Sequence, residues 1–346
     1  MLKRLLSRLV RSESVAVAKP LVEPLENRTL MHNGFVNSML ADDRGRAEMT
    51  LDANSNELDA DAFDRAVQVY TLGPDGLPRT ADDVRVPASI SFKPASRKLT
   101  VTANLGGAKR YRVRIVADRV DGPLGFGFDG EFHGTFPTGN GVAGGNFDAY
   151  VKNDSSKTPT ARFTTNAGAF NIKLRKDLVG NTVNNFVHYI DAGRYDGTIF
   201  HRNARTQSPP LGPLDIIQGG GYTGTAIDGS GNPTQHISTF SPIALQAGKM
   251  HNVRGTIAMA RTSDPNSATS EFFLNTGDNR SILDPQPGSE GYACFGTITA
   301  GMNVVDAIFN TPSASVNSAF DAVAQFNGQN VVVQRAAMLS LVLASA

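Results

Sequence analysis

Alternation of apolar and polar residues is the main pattern in the first half of the chain. It runs through residues 66–70, 88–92, 99–103 and 111–116, with the Gly-Gly turn signal at 106–107 before the last of them. A period of two predicts half-buried antiparallel strands, and a spacing of about ten residues between strands is typical of a β-sandwich. We therefore predict a β-sandwich over residues 36–152.

The second half of the chain combines strands with helical spacing. Residues 162–165 and 170–174 flank a turn at 166–168, which predicts a β-hairpin. Thr182 is placed to cap a helix, and a second helix is predicted over 301–310. The apolar residues that share a helix face are Val183, Phe186, Val187 and Ile190 in the first helix and Val304, Val305 and Ile308 in the second. We predict two helices packed on a β-sheet.

The length of 346 residues fits two domains, and 40% hydrophobic with 19% charged residues is ordinary globular composition. Residues 153–160 are polar, rich in Ser and Thr, and contain a proline, which is typical of a linker. The predicted organisation is a basic leader at 1–35, the sandwich at 36–152, the linker at 153–160 and a second domain at 161–346.

Charge and cysteine content exclude several classes of function. The 33 Lys and Arg residues balance 32 Asp and Glu, so there is no general positive field for a nucleic acid. Cys294 is the single cysteine, which excludes an internal disulfide and a cysteine-rich zinc site. No run reaches the roughly 18 apolar residues that an integral membrane helix needs. The leader, with Lys3, Arg4, Arg8 and Arg11 around leucines, fits either an irregular basic segment or a helix on an anionic lipid surface.

Five sequence blocks in the second domain occur in one order with characteristic spacing. They are YDGTIFHR at 195–202, IQGGG at 217–221, GTIAMAR at 255–261, SEFFLN at 270–275 and YACFG at 292–296. Together they resemble the cyclophilins from about residue 160 to 345. The resemblance implies an eight-stranded β-barrel with two helices, and peptidyl-prolyl cis/trans isomerase (rotamase) activity that assists protein folding. It also implies proline-containing polypeptides as partners, no cofactor and no metal, and it leaves the oligomeric state open.

The isomerisation requires few residues, because rotation about an X-Pro amide breaks no covalent bond and opposes only amide resonance, with a barrier of about 18–20 kcal/mol. A fixed donor at the prolyl nitrogen, beside an apolar pocket, favours the twisted amide. By resemblance Arg202 takes the catalytic role, since its rigid fork of donors reaches both the carbonyl and the nitrogen. The residues that the resemblance assigns to substrate binding are Ile216, Gln218, Ala260, Arg261, Glu271, Phe273, Ile282, Leu283 and Tyr292.

The sequence departs from the family pattern at several positions. Glu271 stands where the family usually has glutamine, and a carboxylate only accepts hydrogen bonds. If Glu271 pairs with Arg202 or Arg261, it either orders the cation or competes with substrate for it. Tyr292 stands where a histidine is frequent. Arg202 and Gln218 are further apart than usual, which predicts a loop at 206–213. His201 has no evident acidic partner and is interpreted as structural.

Two weaker resemblances concern the first part of the chain. Residues 60–150 resemble a bacterial immunoglobulin-like module, and residues 22–31, VEPLENRTLM, resemble a Leu-Glu-rich element of exported planctomycete proteins. We therefore predict an exported or cell-envelope protein. Asp75, Asp82 and Asp83 are interpreted as turn residues rather than as a calcium site, because aspartate is common in turns.

Two other functions compete with isomerisation. The second domain is alternatively a catalytically weak module that only binds proline-containing segments, which Glu271 favours, or the chain is a purely structural surface protein. The stretch at 219–224 formally matches a dinucleotide-binding fingerprint, but a Gly-rich segment rather than a helix follows it. Isomerisation is the function that we predict.

Overall fold

The fold comes from a computed structural model, which describes residues 33–52, 58–74, 78–122, 126–208, 212–223, 235–311, 313–314, 323–326 and 329–344. The export element and nearly all of the leader lie outside the described residues. Strand β1 begins at Asn33, before the predicted end of the leader at residue 35. Export stays a prediction, which fractionation of the producing cells tests.

The predicted strands of the first half are confirmed as elements. The alternating segments at 66–70, 88–92, 99–103 and 111–116 correspond to the third, fifth, sixth and seventh strands. The strands are β1 (Asn33–Ala41), β2 (Arg46–Asp52), β3 (Val67–Thr71), β4 (Val84–Val86), β5 (Ala88–Lys93), β6 (Lys98–Ala103), β7 (Arg110–Ile115), β8 (Gly127–Phe128) and β9 (Phe147–Asn153).

The second half of the chain also consists mainly of strands, and the hairpin predicted around residue 167 is confirmed. The strands are β10 (Thr160–Thr165), β11 (Gly168–Leu174), β12 (Thr198–Ser208), β13 (Gly212–Thr223), β14 (Thr256–Met259), β15 (Phe272–Asn275), β16 (Cys294–Ala300), β17 (Ser313–Ala314), β18 (Val323–Phe326), β19 (Gln329–Asn330), β20 (Val333–Met338) and β21 (Ser340–Ala344).

Two five-stranded sheets form the first half, in the strand orders β5-β6-β2-β1-β8 and β21-β9-β7-β3-β4. Every second side chain of their strands enters one shared hydrophobic core. Phe63 contacts the rings of Phe92 and Phe128 inside this core, with centroid distances of 5.1 and 6.1 Å. The first half is therefore β-structured, while its immunoglobulin-like topology stays a prediction.

An eight-stranded sheet, β12-β13-β15-β14-β16-β11-β10-β20, forms the second half. The sheet closes on itself, because Gly197 N donates to Val333 O at 2.7 Å and Phe200 N donates to Val331 O at 3.2 Å. Gly197 directly precedes β12 and Val331 lies just before β20, so these bonds join the starts of the two end strands of the order. The predicted mainly-β fold with an eight-stranded barrel is confirmed.

Three helices accompany the strands among the described residues: α1 (Gly180–Asp191), α2 (Arg280–Leu283) and α3 (Met302–Asn310). The sequence predicted α1 and α3, while α2 is a single turn that the pattern does not reveal. On the predicted face of α1, Val183, Phe186 and Ile190 are fully buried and Val187 is partly buried. Phe186 lies 4.9 Å from Phe295, centroid to centroid. None of the described helices has both the length and the apolarity to cross a bilayer.

The predicted cap of α1 is wrong. The helix begins at Gly180 after Val179, so Thr182 lies inside the first turn. Thr182 is fully buried, and its backbone N–H and hydroxyl both donate to Gln246 Oε1, at 2.9 and 3.0 Å. A long-range side chain thus satisfies one of the free N–H groups of the first turn, as a local cap would have done.

The segment at 206–213, predicted as a loop, is mostly paired strand. Strands β12 and β13 continue their antiparallel register as far as the pair Ser208 and Gly212. Residues 209–211 lie outside the described residues. The longer interval between Arg202 and Gln218 therefore lengthens a hairpin.

The chain passes between the two halves and then returns. Residues 154–159, within the predicted linker, connect β9 to β10, and β20 belongs to the barrel. The next strand, β21, pairs with β9 in a sheet of the first half, although the predicted second domain ran to residue 346. The two halves are consequently joined by backbone at both ends of the barrel.

Candidate active site on the outer face of the barrel

A row of side chains crosses the outer face of the barrel. Arg202 is paired with Gln218 across β12 and β13, Gln218 with Phe273, and Phe273 with Ala258. Directly paired residues of antiparallel strands point to the same face of a sheet. Their sequence neighbours, such as Phe272, point into the barrel core. The pairing therefore places Arg202 in one row with an apolar surface.

A small apolar cluster, separate from the barrel core, forms the floor beside Arg202. We call this cluster the groove floor. Its buried members are Ala204, Ile216, Ala258, Phe273, Leu283 and Cys294, with Leu214, Met250, Ala260, Ile282 and Tyr292 packed against them. Six of the residues predicted to bind substrate lie in it: Ile216, Ala260, Phe273, Ile282, Leu283 and Tyr292.

Three fully buried asparagines fix the segment that carries Ile282 and Leu283. Asn279 Nδ2 donates to Asn275 Oδ1 at 2.7 Å, and Asn275 Nδ2 reaches Asn252 Oδ1 at 3.3 Å. Asn252 Nδ2 in turn donates to Leu283 O at 3.2 Å. Buried amides with satisfied hydrogen bonds hold a unique geometry, because each broken bond leaves a desolvated polar group. This network holds one wall of the groove floor in place.

Arg261 borders the groove floor from the side of Tyr292. Its Nε and Nη2 donate to Gly291 O at 3.1 and 2.9 Å, and its guanidinium carbon lies 4.7 Å from the Tyr292 ring centroid. The Tyr292 ring stands edge-on to Phe273, with 5.6 Å between centroids. Arg261 therefore supports the aromatic wall and does not pair with Glu271.

Arg202 is half-buried and has one hydrogen-bond partner among the described residues. Its Nη1 donates to Gln218 Oε1 at 3.3 Å. Gln218 Nε2 donates to Glu271 Oε2 at 2.7 Å. Glu271 thus reaches the arginine through Gln218 rather than by direct contact, so the direct ion pair that the sequence left open does not form.

Two histidines also face the Glu271 carboxylate. His201 Nε2 lies 3.3 Å from Oε2, and His236 Nε2 lies 3.4 Å from Oε1. The Tyr222 ring stands edge-on to both imidazoles, at 4.9 Å between centroids. The expectation that His201 has no acidic partner is wrong, because its partner is distant in sequence. His236 and Tyr222 were not predicted, since neither belongs to a sequence block that names them as site residues.

The pKa of Glu271 is lowered from its ordinary value of 4.5 to about 2. Burial acts to raise this pKa, but the hydrogen bonds and charge of His201 and the bonds from Gln218 and His236 outweigh burial. Glu271 is therefore an ionised acceptor at neutral pH. A carboxylate in this state cannot donate a proton or a hydrogen bond to a substrate.

Glu271 should make the stability of the protein depend on pH. Because its pKa is lower in the folded protein, its contribution is complete above about pH 4.5 and is lost as the pH falls toward 2. The contribution is at most about 3 kcal/mol. We expect urea unfolding between pH 6 and 3 to show a shallower pH dependence for Glu271→Gln than for the native protein. The exposed Glu290 provides the control, since Glu290→Gln should keep the native slope. Equal slopes for all three proteins would contradict the lowered pKa.

No activated nucleophile is present on the groove floor. Burial raises the pKa of the Cys294 thiol to about 11, so it is protonated at neutral pH. No group of three or more His, Cys, Asp or Glu side chains within the described residues is arranged to hold a metal ion. The arrangement offers a cation, hydrogen-bonding groups and an apolar surface, which suits binding and electrostatic stabilisation rather than covalent chemistry.

Comparison with known proteins gives a consistent result for the second half of the chain. The family model of cyclophilin type peptidyl-prolyl cis-trans isomerases/CLD matches residues 160–334. A peptidyl-prolyl cis-trans isomerase of Streptomyces antibioticus is 37% identical over 183 residues, which are 52% of this chain and 98% of the relative. One from Acinetobacter baylyi is 39% identical over 152 residues, 44% of this chain and 72% of the relative.

Solved structures also align with about half of the chain. A cyclophilin type peptidyl-prolyl cis-trans isomerase of Cryptosporidium parvum covers 52% of this chain and 97% of its own, with 19% identity and a TM-score of 0.38. A second structure of that protein, described as in the presence of the dipeptide Ala-Pro, has 20% identity and a TM-score of 0.37.

Proposed function

The chain belongs to the cyclophilin-type peptidyl-prolyl cis-trans isomerases, and on that premise we propose that Arg202, at the edge of the groove floor, catalyses rotation about X-Pro bonds of bound polypeptides. The family membership rests on the match over residues 160–334 and on the curated relatives. The proposal adds the residues and their roles.

The observation that carries the proposal is the position of Arg202. The guanidinium is half-buried, is held on one side by Gln218, and lies on the same sheet face as Ala204 and Phe273 of the groove floor. A guanidinium has five N–H donors, so the bond to Gln218 leaves others for a substrate. A proline ring on the apolar surface would bring its amide beside these donors.

The chemistry needs electrostatic stabilisation that is stronger in the twisted amide than in either planar form. As the amide twists, lone-pair density gathers on the prolyl nitrogen, and a donor already in place costs no reorganisation. Arg202 supplies that donor, while Gln218 bonds the peptide backbone with the hydrogen-bonding capacity that Arg202 and Glu271 leave unused. No covalent intermediate forms, and proton transfer is not needed.

Exchange between the cis and trans forms of an Ala-Pro model peptide, followed by NMR, tests the proposal. The uncatalysed exchange takes tens of seconds or longer at 25 °C. We expect the native protein at substoichiometric concentration to accelerate it in proportion to protein concentration. Exchange that stays at the uncatalysed rate with folded protein would overturn the proposed activity for this substrate.

The alternative is a groove that binds proline-containing segments without turning them over. The presence of Glu271 where the family usually has glutamine favours this alternative. The carboxylate accepts a hydrogen bond from the side-chain N–H of Gln218, so that N–H is no longer free to bind substrate. The same NMR samples distinguish the two functions. If the peptide shifts the NMR resonances of groove-floor residues without faster cis/trans exchange, the protein binds the peptide without isomerising it.

The cellular role that we propose is assistance to the folding of other proteins. Prolyl isomerisation limits folding steps to tens of seconds, and catalysis shortens them. Refolding of a denatured protein whose slow phase is a known prolyl isomerisation tests this role. An unchanged slow phase in the presence of the native protein would contradict it.

A further inference from the structure

The side-chain amide of Gln218 lies between a group that only accepts hydrogen bonds and a group that only donates them. Glu271 Oε2 is 2.7 Å from Gln218 Nε2, and Arg202 Nη1 is 3.3 Å from Gln218 Oε1. An ionised carboxylate has no donor, and a guanidinium has no acceptor. A flipped amide would set oxygen against oxygen and N–H against N–H. Only one orientation of Gln218 is therefore compatible with both neighbours.

The carboxylate of Glu271 is held by contacts that do not involve Gln218. His201 approaches one oxygen and His236 the other, at 3.3 and 3.4 Å between nitrogen and oxygen. The backbone of Glu271 is fixed as well, since Ala260 N donates to Glu271 O at 2.9 Å. The imidazoles come from β12 and from the segment after residue 234, so two different elements fix the position of this acceptor.

The backbone beside Glu271 leaves room for its carboxylate. A Cβ atom at Gly221 would lie 2.6 Å from Glu271 Oε1, closer than real Cβ contacts allow. Since the obstructing atom is the end of a flexible side chain, a methyl group there would displace the carboxylate rather than the strand. The absence of a side chain at Gly221 therefore helps to keep the Glu271 carboxylate in its position beside the two histidines.

We propose that Glu271 is a positioning residue for the isomerisation: it fixes the orientation of the Gln218 amide, so that the amide oxygen faces Arg202 and holds the guanidinium beside the groove floor. The inference rests on the proposed catalytic role of Arg202. Glutamine at position 271 both donates and accepts, so it would permit either orientation of Gln218 and would hold Arg202 less firmly.

A double-mutant cycle between Glu271→Gln and Gln218→Ala tests the inference, with kcat and KM for an Ala-Pro peptide measured separately. We expect Glu271→Gln to lower kcat about five- to tenfold in the native background, the effect of one charge-assisted hydrogen bond, with KM changed less than about twofold. In the Gln218→Ala background the same change should alter kcat less than about twofold, because the residue through which Glu271 acts is gone. Equal factors in both backgrounds would overturn the inference.

Gly221→Ala gives a second test, which keeps glutamate at position 271 but displaces its carboxylate. It should lower kcat by a similar factor in the native background and add little to Glu271→Gln. Gly180→Ala is the matched control, because a Cβ there meets no atom within 4 Å. That control should keep the native kcat. A native kcat for Gly221→Ala, with the carboxylate shown by NMR to be displaced, would contradict the inference.

The side-chain amide of Gln218 provides a readout independent of turnover. Its NH₂ resonances, assigned by their loss in Gln218→Ala, should exchange with water severalfold faster in Glu271→Gln than in the native protein. Unchanged exchange would overturn the inference while leaving the role of Arg202 intact. If the native protein does not catalyse isomerisation at all, the proposed function fails and the positioning role falls with it, so the two failures are distinguishable.

Discussion

Replacing Arg202 by alanine should lower kcat/KM for an Ala-Pro peptide by about 10²-fold or more. The expected size is that of removing a pre-positioned donor from a site where charge develops. The fold should persist, because the side chain is half-buried and has one hydrogen bond among the described residues. NMR exchange measurements give the rates, and urea unfolding checks that stability changes by less than about 1 kcal/mol.

Arg205 is the matched control for this substitution. It lies on the same strand, but its guanidinium binds Phe309 O and Asn310 Oδ1, and it stacks over the Phe309 ring at 4.2 Å. Arg205→Ala should therefore keep the native kcat/KM. Arg202→Lys should recover only part of the activity, since an ammonium lacks the planar fork of donors. Native activity in Arg202→Ala would exclude the proposed role.

The repeating elements of the fold were predictable from the sequence because their signals are local. Alternation marked the strands that became β3, β5, β6 and β7, and helical spacing marked α1 and α3. Elements that depend on distant partners were not predictable. The return of β21 to the sheet of β9 and the capping of α1 by Gln246 both arise from contacts across the fold.

The candidate site likewise contains residues that the sequence predicted and residues that it did not. The sequence blocks name Arg202, Gln218 and Phe273, and strand pairing then places them in one row. The acidic partner of His201 could not be predicted, because Glu271 meets it only when β12, β13 and β15 lie side by side. His236 lies outside the named strands, in a segment that forms an isolated bridge with Tyr222 and whose position no periodicity specifies.

A largely buried ion pair between the two halves of the chain should be important for stability and not for chemistry. Arg335 of β20 donates from Nε and Nη2 to the two oxygens of Asp42, each at 2.9 Å. The same carboxylate accepts the backbone N–H groups of Arg44 and Arg46, at 2.9 and 3.0 Å. The Asp42 side chain is 9% exposed and that of Arg335 18%. If the ion pair were broken, water would therefore have little access to the groups that lose their hydrogen bonds.

Asp42→Ala should destabilise the protein by about 3–5 kcal/mol, because it leaves the largely buried Arg335 guanidinium without its partner. The activity per folded molecule should stay native, since β20 is not among the strands that carry the groove floor. Urea unfolding measures the first effect and NMR exchange the second. Asp52→Ala is the control: its ion pair with Arg97 is exposed and contributes at most about 1 kcal/mol. A similarly small loss for Asp42→Ala would show that the guanidinium regains solvation when the pair is broken, and that the halves are held together chiefly by the pairing of β21 with β9.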